Sequence, residues 1–411
     1  MPFAIAEEGI VSANKSLLQI GGNKFLIQNI AQNEKDFVRP FQLVEINNNK
    51  MASQDFYFQK MCFVGNGLFD NGSGWKPVES AINKFFNNRI SDLNGSTMAS
   101  ILATHAVAEK YHLRKVLFNQ KRMLTQIIRE ASKHCRLYCK GSTKQKELLN
   151  DQLKSLEKIS KLLRESLSKK IDGDLQENIN SFAEEINKIG FMVGKEKKLF
   201  RPVCFALSDA VIKLGELFEL RKILCEEFLT MKNILVVNES LKDLLIKKTG
   251  EDNTLCVTSN WDDVLNGFCP NVLHIHGKVT DPKSLILPMQ MAVDWNENDM
   301  HGNELILQTD QAHNLMLHMI QNDRLRDVHI VGLALNDYDT ELTLLLAHGF
   351  SSFLRNNTKI TIVNRNRDEE DKIKAKLINL FIVHCAGFNH LDQGAVSEYF
   401  KTNILCSKSS R

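Results

Sequence analysis

Two short apolar runs end in side chains that a buried strand has no packing reason to carry. Leu255–Val257 leads into Thr258-Ser259-Asn260-Trp261-Asp262-Asp263, and Val272–Ile275 leads into His276-Gly277 with His274 inside the run. An amide, a carboxylate and an imidazole can hold a water, bind hydroxyls and move a proton near neutral pH. The Asn260 amide both donates and accepts, so it is the candidate for positioning water or hydroxyl groups. His276 is the candidate base. Asp262 either orients a ligand or caps the helix that follows. His274 alternates with His276 and shares its face.

Such residues need elements to bring them together. Met61–Val64 reads as a strand, followed by Gly65-Asn66-Gly67 in a loop carrying two more glycines, then by a helix over Pro77–Phe86. Strand, glycine loop and helix is the layout of a phosphate cradle, although G-x-G lacks the G-x-x-G completion and glycine-rich surface turns share it. Val328–Val331 runs into Gly332-Leu333, with Asn336 and Asp337 beyond, and Ile360–Val363 ends in Asn364. Further strands are expected at Ile234–Val237, Leu285–Leu287 and Phe381–Val383. Helices are expected at Ser240–Lys248, Asn303–Gln321 and Asp339–Leu354, with a charged helix running from Asn364 to about Leu380. Strands alternating with helices predict an α/β fold, a doubly wound, Rossmann-like, mostly parallel sheet. Its ligand crevice lies at the carboxyl ends of the strands.

From Thr97 to Lys232 the pattern is almost wholly helical, with Leu149, Leu153, Leu156, Leu163 and Leu167 in a/d-like spacing. The chain therefore divides into an irregular N-terminal layer (1–60), the α/β domain (61–96 and 233–395), a helical insertion (97–232) and a C-terminal tail (396–411), frayed after Lys401. The insertion reads as helices packed on one another and is a candidate surface for self-association or a protein partner. Lys+Arg 52 against Asp+Glu 49 gives +3, which predicts no nucleic-acid partner. No apolar run is long enough to span a bilayer, and the first residues lack a basic leader. Nine cysteines, an odd number without regular spacing, fit reduced thiols in a cytoplasmic protein, and no zinc-type spacing occurs. His301, His313 and His318 read as structural. Trp295 and Phe69 could line a pocket, with core packing the preferred reading.

The ordered motifs resemble those of the Sir2-like (sirtuin-related) family. T-S-N-W-D at Thr258–Asp262, followed by H-I-H-G at His274–Gly277, is similar to that family's T-x-N-x-D and His-Gly pair. G-N-G-L at Gly65–Leu68 is similar to its first glycine loop. V-G-L-A-L-N-D-Y-D-T-E-L at Val331–Leu342 resembles the late strand-and-helix signature of the bacterial branch. I-T-I-V-N at Ile360–Asn364 resembles the strand whose terminal Asn contacts the adenosine ribose.

The resemblance implies that NAD is bound and consumed. Asn260 and His276 would be catalytic, with Gly65, Asn66, Gly67, Thr258, Asp262, Gly332, Leu333 and Asn364 around the dinucleotide and no metal ion; only His276 sits at the family's position, so His274 reads as a satisfied structural histidine. The family's Ser after the glycine loop is Phe69 here, and Lys278 follows Gly277 where deacylating sirtuins usually carry Ser. Their four-cysteine zinc module is missing as well. These departures fit the Sir2-like domains of bacterial defence and effector proteins, which cleave NAD+ to nicotinamide and ADP-ribose. A non-catalytic NAD or ADP-ribose sensor is the alternative. A protein deacylase or ADP-ribosyltransferase is a further one.

Overall fold

The computed structural model describes residues 17–29, 41–46, 58–109, 111–112, 197–250, 253–280, 285–288, 312, 315–320, 324–335, 340–386 and 393–406. The chain divides into two compact units. One comprises residues 1–103, 223–295 and 306–411, and the other residues 104–222 and 296–305.

The first unit is mixed α/β, built on one nine-stranded, mostly parallel sheet. Its strands are β1 (Leu18–Ile20), β2 (Asn23–Asn29), β3 (Phe41–Glu45), β4 (Lys60–Val64), β5 (Thr254–Thr258), β6 (Val272–His274), β7 (Asp327–Val331), β8 (Lys359–Val363) and β9 (Ile404–Cys406). Their order across the sheet is β3-β2-β1-β6-β5-β4-β7-β8-β9, and the pairs from β6 to β9 are parallel. Taken in chain order, these parallel strands run 3-2-1-4-5-6 across the sheet, an order compatible with a Rossmann-like fold. The order reverses between β4 and β7.

Strand composition explains which strands are central. β5 is buried at every position, and β4 and β7 at all but their first residue. Their sequences are accordingly continuous apolar runs rather than alternating ones. Alternation appears instead in which side each residue packs. Met61 and Phe63 join one apolar cluster with Leu315, Leu346, Leu377 and Phe381. Cys62 and Val64 join another with Leu241 and Leu245.

The helices are α1 (Lys76–Phe85), α2 (residues 95–109), α3 (Lys197–Thr230), α4 (Glu239–Thr249), α5 (Thr340–His348), α6 (Phe350–Arg355), α7 (Arg367–Ala386) and α8 (Gln393–Asn403). Asn238 caps α4 by accepting the Leu241 N–H, as its short amide at the N-cap favours. Among the described residues no helix is long and apolar enough to cross a membrane.

Several expectations are corrected. The described residues of the N-terminal layer are not irregular, because β1–β3 form an antiparallel meander that joins the sheet through β1 and β6. Its first turn is Gly21-Gly22, both at positive φ (56° and 84°), the geometry of a two-residue hairpin. Phe381–Val383 lies inside α7, where Ile373, Leu377 and Phe381 recur every fourth residue and are buried. The tail is not frayed as far as Cys406. Phe400 of α8 stacks on Phe381 with centroids 4.3 Å apart, and β9 pairs with β8.

Ile234–Val237 is not a buried strand either. It is a strap along the glycine loop. Asp70 N–H donates to Val236 O, Val236 N–H to the Ser73 hydroxyl, and Asn238 N–H to Leu68 O. Val236 itself is 52% exposed. Leu285–Leu287 is buried but unassigned to any strand. It braces the site from behind, with Ile286 N–H on His276 O and the Trp261 indole N–H on Ile286 O. The helix expected at 303–321 is described only at 312 and 315–320, where it is helical.

In the second unit, described residues of α2 and α3 meet through one buried ion pair. Arg221 donates from Nη2 to Glu109 Oε2 at 2.6 Å and from Nε to Oε1 at 2.9 Å. The leucine-rich part of the expected helical insertion, with Cys135 and Cys139, lies outside the described residues.

Candidate functional site

A cavity of about 790 Å³ opens at the carboxyl ends of the parallel strands, within the first unit. Ligand cavities of this order are usually apolar with a few convergent polar groups, and this one follows that rule. Trp75, Val78, Trp261, Leu333 and Ile373 supply apolar wall, while Asn66, Asn260, Asp262, His276 and Asn364 supply polar groups.

The glycine loop after β4 meets the loop after β7 where the strand order reverses. Gly67 N–H donates to Gly332 O at 2.8 Å, and Gly65 N–H to Val331 O at 3.0 Å. A Cβ on Gly65 would lie 2.4 Å from Leu333 Cδ2. The loop then tightens into 3₁₀ turns at Asn66–Leu68 and Asp70–Trp75 before α1 begins. Leu68 N–H and Phe69 N–H donate to Gly65 O and Asn66 O. The glycines thus serve close approach of chain to chain, and most of the loop's N–H groups go to protein carbonyls rather than to a phosphate. Phe69 is fully buried in the core, as the packing reading has it.

Asn260 is fixed by three contacts, one of them between its carbonyl oxygen and His274 Nδ1 at 3.3 Å. The Thr258 hydroxyl donates to Val64 O and accepts the Asn260 N–H, each at 3.0 Å. The Asn260 side-chain N–H donates to Gly65 O at 3.3 Å. Gly65 and Thr258 therefore stand behind the wall and set the Asn260 amide, whereas Asn66, Gly67 and Asn260 line the cavity. Asp262 caps the turn that follows it and also faces the cavity. One carboxylate oxygen accepts the Val264 N–H at 3.0 Å, capping the turn, and the side chain lines the cavity. Burial pushes its carboxyl up to about 6.

His276 is buried and lines the cavity. His274 does not line it. Its Nε2 lies 2.7 Å from Asn266 Oδ1, and Asn266 Nδ2 donates to Gln19 Oε1 at 3.1 Å. Gln19 Nε2 in turn faces the carbonyls of Asn266 and Cys269. That chain of amides orients Asn266 Oδ1 toward His274 Nε2, and the Nδ1 side of the ring faces the Asn260 carbonyl, so both ring nitrogens have oxygen partners. Burial lowers its pKa to about 3, leaving a neutral structural ring.

Gly332 and Leu333 line the cavity beside Asn364. The Asn364 amide donates to Leu333 O at 3.4 Å, and its oxygen accepts the Arg365 N–H at 2.9 Å. It therefore ties the β7 and β8 loops together. Asn336, Asp337, Trp295, His301 and His313 lie outside the described residues.

Four charged residues of the lining were not anticipated: Arg365, Glu369, Lys372 and Lys376. The Arg365 guanidinium donates to Phe69 O, and Lys376 Nζ donates to Leu335 O at 3.1 Å. The spacing of Glu369, Lys372 and Lys376 along one face of α7 could have flagged those three, but a charged helix face reads first as solvated surface. Trp75 was missed as well, inside a loop read for its glycines.

Among the described residues no group of three or more His, Cys, Asp or Glu side chains is placed to hold a metal ion. No family model, characterised protein or solved structure matches this chain.

Proposed function

We propose that the chain is an NAD+ glycohydrolase on a doubly wound, Rossmann-like domain carrying a helical insertion, which cleaves the nicotinamide–ribose bond to give nicotinamide and ADP-ribose. The 3-2-1-4-5-6 order and apolar clusters fed by alternating residues of the same strands support the doubly wound reading. The observation that carries the function is the convergence of Asn260 and His276 on one cavity beside the β4–β7 reversal.

The chemistry suits these groups. Nicotinamide departs as a neutral amide while oxocarbenium character develops at the anomeric carbon, as in other glycoside cleavages. Catalysis then asks for positioning, exclusion of bulk water and one attacking water. Asn260, its amide preset by Gly65 O, holds that water or the ribose hydroxyls. His276 takes the proton from the water or from a ribose hydroxyl. Asp262, largely ionised at pH 7 despite its raised pKa, accepts from the nicotinamide amide. Trp75 and Trp261 supply the apolar walls that keep other water out. A fit to NAD rests on size, on these apolar walls and on the polar groups between them.

Nicotinamide release from NAD+ by the purified protein tests the reading. Stabilisation by NAD without release would instead identify a sensor. A mass increase on a protein or peptide would identify a transferase.

A further inference from the structure

The glycine loop leaves a phosphate-bearing ligand with few backbone donors. Gly65, Gly67, Leu68, Phe69 and Asp70 all donate their N–H groups to protein carbonyls. On the other side of the same cavity, α7 presents Glu369, Lys372, Ile373 and Lys376 to the lining. Lys372 and Lys376 are four residues apart, so they stand on one helix face as neighbours. Two like charges at that spacing repel each other, an arrangement that an anion between them would relieve. Lys376 keeps its place through Leu335 O, which uses one of its three donors. Lys372 is exposed at the mouth.

We propose that Lys372 and Lys376 form the receptor for the phosphates of a nucleoside-diphosphate ligand, in place of the glycine loop. NAD+ as that ligand rests on the function proposed above; the phosphate site itself rests on the cavity alone. Glu369, one turn earlier on the same face, sets the limit of the anion site and disfavours a ligand carrying further charge toward the helix start.

The test is calorimetric titration of the full chain with ADP-ribose, NAD+ and ADP, for wild type, Lys372→Ala, Lys372→Glu and Glu369→Gln. Lys372 is exposed and Glu369 is half-buried, and neither belongs to the apolar core, so the variants are expected to melt like the wild type. Lys372→Ala is expected to weaken ADP-ribose binding about tenfold, the loss of one charge-assisted contact. Lys372→Glu weakens it further, and Glu369→Gln tightens it. ADP-ribose bound equally by wild type and both Lys372 variants would overturn the phosphate site and leave the NAD+ reading standing. Lysine-dependent binding of ADP with no binding of NAD+ or ADP-ribose would support the site and overturn the NAD+ reading. No binding of any of the three would overturn both.

Discussion

Gly67 and Gly332 lock the two loops of the strand-order reversal against each other. The Gly67 N–H donates to the Gly332 carbonyl at 2.8 Å, and a Cβ on Gly67 would lie 2.6 Å from that oxygen. A Cβ on Gly332 would lie 2.7 Å from the Gly67 carbonyl carbon, and Gly332 also has φ of +60°. The floor of the cavity therefore depends on two backbones approaching without side chains.

That contact predicts a stability difference between two glycines of similar conformation. Gly72 also has positive φ (+66°), but a Cβ there would meet nothing within 4 Å. Gly72→Ala should cost about 1–2 kcal/mol from backbone strain alone. Gly332→Ala should cost that plus about 1–3 kcal/mol of crowding. Urea unfolding of the two variants measures both. Equal losses would mean that the loops can part freely.

His274 and Asp262 predict a pH profile with opposing slopes. The folded pKa of His274, lowered by burial to about 3, lies below its unfolded value of 6.5. Its contribution is therefore complete above pH 6.5 and is lost as pH falls toward 3. Asp262, raised by burial from 3.8 to about 6, contributes stability below 3.8 and loses it as pH rises through 6. Between pH 4 and 6 the two slopes offset one another. Asp262→Asn removes one of them, so the variant should lose up to about 1.4 kcal/mol per pH unit on acidification across that range, relative to wild type. Chemical unfolding at several pH values checks this. Parallel profiles for variant and wild type would refute it.

How much of this was legible beforehand depended on whether a residue's role is local. Asn260 and His276 could be found because polar side chains after buried strands have no packing use. His274 and His276 share a face in the strand pattern, and only the position of His276 in the Sir2-like His-Gly pair set them apart. The roles of Thr258 and Gly65 were not legible, because Thr258 is anchored on Val64 and Gly65 holds the Asn260 amide, each across nearly two hundred positions in sequence. The strap at Ile234–Val237 and the helical Phe381–Val383 were misread for one reason: a short apolar run has no period of its own to tell strand from helix. The hairpin at Gly21-Gly22 was readable from its glycine pair and was passed over. The α7 lysines became visible as a site only once the sheet placed that helix along the cavity.

Among the described ion pairs, burial separates strong from weak. Arg221 and Glu109 are 4% and 6% exposed, whereas Lys232 and Asp263 are 59% and 38% exposed. Glu109→Ala leaves the Arg221 guanidinium buried without its carboxylate and should cost about 3–5 kcal/mol. Lys232→Ala should cost under about 1 kcal/mol. The double variant Glu109→Leu/Arg221→Met should recover much of the first loss, since it removes both buried charges. Thermal and urea melts of the four proteins decide the matter. A double variant as unstable as Glu109→Ala would show that packing, not charge, is at stake.

Asn260→Ala removes the amide while leaving the Thr258 and Gly65 framework in place. It should reduce nicotinamide release by about 100-fold or more. Its melting curve should shift little, since one half-buried hydrogen bond is worth about 1 kcal/mol. Loss of activity together with loss of cooperative unfolding would assign Asn260 a structural role instead.

The most direct measurement is nicotinamide release from NAD+ by wild type and His276→Ala, side by side, with both shown to be folded. The proposed function predicts release by the wild type and a loss of about 100-fold or more in the variant. Equal rates in the two proteins would contradict it.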